Sequence, residues 1–89
     1  MSRYVVSADA ACAQVADGAV LLHLGSKRYY SLNETGAFIW QALEEGQNIA
    51  DIVERLQTHY EVYRGEAQQS VDRLLNELGD AGLIVDASE

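Results

Sequence analysis

Apolar and polar residues change rhythm once along this chain of 89 residues. Up to Asn33 the apolar residues come in short runs broken by turn formers; beyond it they recur at helical spacing. Ala19-Val20-Leu21-Leu22-His23-Leu24 is apolar and partly β-branched, and reads as a strand. Asp17-Gly18 before it is a hairpin signal, with Gln14-Val15-Ala16 supplying the preceding strand. Gly25-Ser26 marks a second turn, and Lys27 to Leu32 follows as a third strand. Two turns between three short strands predict an antiparallel meander, which three strands stabilise better than two would. Further upstream, Tyr4-Val5-Val6 fits a short strand, whereas Ala8 to Ala13 shows weak helical propensity and no clear stripe.

The second part of the chain predicts three amphipathic helices. Asn33 can cap the first, because its side-chain oxygen accepts a first-turn N–H; Leu32 and Ala37 sit at hydrophobic-staple spacing around it. Gly36, Ile39, Trp40 and Leu43 form one stripe, and Gly46 is a left-handed stop. Asn48 caps a second helix, with Asp51 favoured in its first turn and a stripe of Ile49, Ile52, Val53, Leu56 and Tyr60. After a loop over 61–65, a third helix carries Ala67, Val71, Leu74, Leu75 and Leu78 and stops near Gly79 or Gly82. Leu83-Ile84-Val85 is an apolar tail, either a final strand or a plug on the core. Strands followed by helices define an α+β domain. A three-stranded antiparallel sheet followed by three helices is the winged helix-turn-helix arrangement, with its wing N-terminal.

Composition narrows the function. The length allows one core, and 48% hydrophobic residues suffice to fill it. Neither a membrane-spanning run nor a signal-peptide-like stretch is present, and mean hydropathy is −0.13, so a cytoplasmic protein is expected. Fourteen acids against six bases give a net charge of −8, which opposes binding to nucleic acid or to an anionic membrane. One cysteine, Cys12, excludes an internal disulfide and a multi-cysteine zinc site. His23 and His59 fall in no metal-ligand or nucleophile–base pattern, and no glycine-rich phosphate loop occurs. The acids Glu44-Glu45, and Glu34 with Asp51, read as solvated helix surface. The expectation is therefore no catalytic residue, no metal and no cofactor.

The sheet edge is more informative. In the meander, strand 27–32 is an outer strand, and an open edge offers unpaired N–H and C=O groups to an extended peptide. Tyr29 and Tyr30 are adjacent, so one faces the core and the other faces solvent or a partner. Lys27 and Arg28 also deter indiscriminate edge pairing.

The stretches Asp17-Gly18-Ala19-Val20-Leu21-Leu22, Arg28-Tyr29-Tyr30-Ser31-Leu32-Asn33-Glu34-Thr35-Gly36, Ile39-Trp40 and Leu43 together resemble the PqqD-like family, the recognition domains for leader peptides of ribosomally made, modified natural products. Ile49-Ala50-Asp51-Ile52-Val53, Val71-Asp72-Arg73-Leu74-Leu75 and Gly82-Leu83-Ile84 follow the same pattern. The likeness spans residues 13–85; it leaves 1–12 as a segment without a matched role and 86–89 as a tail. It implies a non-catalytic peptide chaperone, or RiPP recognition element, that takes the leader as an added strand. Carried over by position, the peptide-binding residues are Lys27, Arg28, Tyr29, Tyr30, Ser31 and Leu32 on the edge strand. Val71, Asp72, Leu74, Leu75 and Leu78 form the groove wall on the third helix. Within the family the chain most resembles the discrete recognition proteins of lasso-peptide pathways, whose partners are the precursor leader and a leader peptidase or other modifying enzyme. The chaperone of quinone-cofactor biosynthesis, serving a radical-SAM enzyme, is the alternative. A winged-helix DNA-binding regulator is a more distant one, against the acidic charge. That charge also predicts a preference for leaders with basic residues.

Overall fold

The computed structural model describes residues 4–86, so the expected tail at 86–89 lies almost wholly outside the described residues. Five strands and three helices follow in order: β1 (Tyr4–Val6), β2 (Ala10–Val15), β3 (Gly18–His23), β4 (Arg28–Asn33), α1 (Glu34–Glu44), α2 (Ile49–Tyr60), α3 (Arg64–Asp80) and β5 (Ile84–Asp86). β2, β3 and β4 form the antiparallel meander, and β1 pairs antiparallel with β5 in a separate two-stranded sheet. The α+β winged helix-turn-helix reading stands, with this small second sheet added.

The differences from expectation are local. Ala10 to Ala13 is strand rather than incipient helix, because Cys12 faces Leu21 across the ladder and packs against the core. A domain boundary at 12/13 would therefore cut through β2. The β2–β3 turn is Ala16-Asp17, since Val15 pairs with Gly18. A Cβ on Gly18 would come within 1.9 Å of the Leu32 carbonyl oxygen, so the close approach of β4 requires glycine there. The third strand is shifted by one residue: Lys27 lies in the turn at φ 64°, and the strand extends to Asn33.

Both predicted caps form. The amide of Gly36 donates to Asn33 Oδ1 at 2.8 Å, and that of Asp51 donates to Asn48 Oδ1 at 2.8 Å; each such cap stabilises by about 1 kcal/mol. Asn33 thus ends β4 and starts α1, which fixes the helix against the strand with no linker between them.

Leu21 anchors the core from the sheet, and Ile39, Trp40 and Leu43 from α1. Ile52, Val53 and Leu56 of α2 join them, as do Val71, Leu75 and Leu78 of α3. Trp40 is buried as predicted. The apolar tail is both plug and strand: Leu83 and Ile84 are buried, while Val85 pairs with Val5 on the exposed side.

Candidate functional site

β4 pairs only with β3 within its sheet, so its far side is an open edge. β2 is the opposite edge, and its Gln14-Val15 end borders a recess of about 240 Å³ against α1 and α2; the groove walled by α3 runs along β4. Ser31, Leu32 and Asn33 form one bank of this groove, and Ser70, Arg73, Leu74 and Glu77 of α3 form the other. Thr35, Gly36 and Ile39 of α1 complete the lining, and the groove holds about 280 Å³. The Asn33 cap places α1 here. Gly36 lets it settle on Leu32, since a Cβ at that position would sit 3.2 Å from Leu32 Cβ. A second recess of about 240 Å³ continues past Thr35 and Ser70 to Leu56, Tyr60, Val62 and Glu66.

Strand alternation sorts the edge residues. Tyr30 and Leu32 face the helices and pack against the core, whereas Tyr29 is 71% exposed on the outer face. The two tyrosines point to opposite faces, as their adjacency requires. Arg28 pairs with His23 at the far end of the strand. Lys27 is exposed in the turn and does not belong to the strand.

The helical wall differs from the one expected. Val71, Leu75 and Leu78 are buried in the core and do not line the groove. Asp72 is exposed away from it and accepts a hydrogen bond from Gln68 Nε2 at 2.9 Å. Of the five helix residues expected there, Leu74 alone is on the lining. Ser70, Arg73 and Glu77 take the places of the others. A signal for them existed: 70, 74 and 77 form a second stripe beside the core stripe 67, 71, 75 and 78, and Leu74 is the apolar member that the core leaves half-covered.

The groove offers backbone hydrogen-bonding groups on one side, apolar surface at Leu32, Leu74 and Ile39, and charges at its rim. Outside it, burial pushes the Cys12 thiol up, with the Glu44 carboxylate adding to the effect, so its reactive thiolate form is disfavoured. Among the described residues no cluster of His, Cys, Asp or Glu is arranged to hold a metal ion.

Residues 18–84 match the family model described as coenzyme PQQ synthesis protein D, PqqD. Two solved structures share the fold. One is TbiB1 in complex with the TbiA(beta) leader peptide, 29% identical, with a TM-score of 0.87 over 96% of this chain and 99% of that one. The other is lasso peptide synthetase B1 complexed with the leader peptide, 33% identical, with a TM-score of 0.83 over 92% of this chain and 96% of that one. No curated protein matches the sequence.

Proposed function

The chain belongs to the PqqD family, and from that premise we propose that it captures the leader of a ribosomally made precursor peptide as an extra strand on β4 and delivers it to a processing enzyme. It is a PqqD-like recognition element of the lasso-peptide type. The observation that carries the binding mode is the open β4 edge lying beside a groove walled by α3.

Strand addition divides the work of recognition. Main-chain hydrogen bonds, each contributing about 0.5–1.5 kcal/mol net, hold any extended peptide. Apolar leader side chains placed over Leu32 and Leu74 add about 1.5–3 kcal/mol each when fully buried, and they select. Together they exceed the cost of about 2–5 kcal/mol for ordering a disordered segment.

Delivery draws support from the other face of the sheet. Ala11, Ala13, Val20, Leu22 and Tyr29 face outward there, without a charge among them. β3 reads as a strand apolar on both faces, yet only one face is covered by helices. A processing enzyme docked on this face would touch the strand that holds the leader. We place this event in the cytoplasm, with the chain as presenter rather than catalyst. No helix among the described residues is long and apolar enough to cross a membrane.

The quinone-pathway reading keeps the same site and changes only the leader and the enzyme. Both neighbours of about 30% identity carry leaders, and one is named for lasso peptides, which favours the lasso reading. Fluorescein-labelled leader segments of lasso-peptide precursors, titrated with the protein, should give saturable polarisation, while duplex DNA at low salt shows no mobility shift. Saturable DNA binding with no response from any leader would contradict the proposal.

A further inference from the structure

Resting on the strand-addition reading, we infer that the groove selects a leader segment in which an acidic residue is followed, two positions later, by a basic one. Arg73 reads the acid and Glu77 reads the base. Both side chains line the groove and both are exposed. An ion pair forms between Arg55 and Glu45, but none joins Arg73 to Glu77, so the two do not neutralise each other. Their order along the helix, cation before anion at a spacing of four, is the weaker arrangement for an internal pair. Each is left available to a ligand.

Spacing and direction fix the pattern. Four residues of α3 rise about 6 Å, and two residues of an extended peptide advance about 6.6 Å. Alternate peptide side chains facing α3 therefore fall opposite Arg73 and Glu77 in turn. α3 begins near the Asn33 end of β4, where Thr35 and Ser70 share the lining. It ends near the Arg28 end, since Gly82 lies against the His23 ring and His23 pairs with Arg28. α3 thus runs opposite to β4. A peptide added antiparallel to β4, the more stable ladder, runs along α3 in the same direction. It meets Arg73 first and Glu77 second. The net charge of −8 alone would favour any basic leader; the groove wall carries one charge of each sign and selects by order.

The probe is a display library of short random peptides, panned separately on the wild-type protein and on the double variant Arg73→Glu, Glu77→Arg. The wild type should enrich acid-x-base and the variant base-x-acid, with the same apolar positions in both pools. A peptide from the first pool should bind the variant about tenfold more weakly, as expected when two rim ion pairs turn repulsive. Both substitutions are at exposed positions, and circular dichroism checks that the fold is kept. Identical charge patterns in the two pools would overturn the charge code while leaving strand addition in place. Pools with no shared extended, apolar pattern would overturn strand addition itself.

Discussion

Replacing Leu75 by aspartate should abolish folding, whereas the same replacement one residue earlier, at Leu74, should leave a folded protein that binds its leader at least tenfold more weakly. Leu75 is 6% exposed and packs among the α1, α2 and α3 core residues. Losing its burial costs about 2–5 kcal/mol, and an unpaired carboxylate in that position costs several more. The sum consumes the stability of about 5–15 kcal/mol typical of a natural domain. Leu74 is half-buried, with its open side turned to the groove. Aspartate there costs about 1–2 kcal/mol of stability and removes one apolar leader contact of about 1.5–3 kcal/mol, at least a tenfold loss of affinity. Far-UV circular dichroism and leader titration of the two variants read both effects. A folded Leu75→Asp variant together with wild-type affinity for Leu74→Asp would place the binding surface elsewhere.

The second large effect is on the leader's own backbone. N-methylation of alternate leader residues, at three amides that face β4, removes three donors and puts methyl groups into a gap of about 4.8 Å between strands. At about 1 kcal/mol for each hydrogen bond, affinity falls by about a hundredfold. Methylating the intervening amides, which point away from β4, changes it by no more than about threefold. Isothermal titration calorimetry with the two methylated peptides separates strand addition from side-chain docking. Equal losses for both patterns would contradict strand addition.

The helices were legible because their stripes and caps agree: Asn33 and Asn48 stand where the periodicity of Ile39-Trp40-Leu43 and Ile52-Val53-Leu56 begins. The sheet was less so. Ala10 to Ala13 has little strand propensity of its own and is held by pairing with β3, a long-range contact that no local pattern reports. The β1–β5 sheet joins the two ends of the described chain and was visible only as two short apolar runs. β4 itself could be read from turn order, to within one residue at Lys27. Of the wall residues expected on α3, Val71, Leu75 and Leu78 lie in the core, because the most apolar stripe of the helix packs inside. The groove falls to the neighbouring, more polar stripe of Ser70, Leu74 and Glu77, with Arg73 beside it.

Amide hydrogen exchange along Arg28–Asn33, followed by NMR with and without leader, bears most directly on whether β4 receives a foreign strand. In the free protein the outward amides of β4 should exchange quickly and those bonded to β3 slowly. Saturating leader should slow the outward set and leave the other unchanged. Outward amides already protected in the free protein, or unprotected at saturation, would contradict the account.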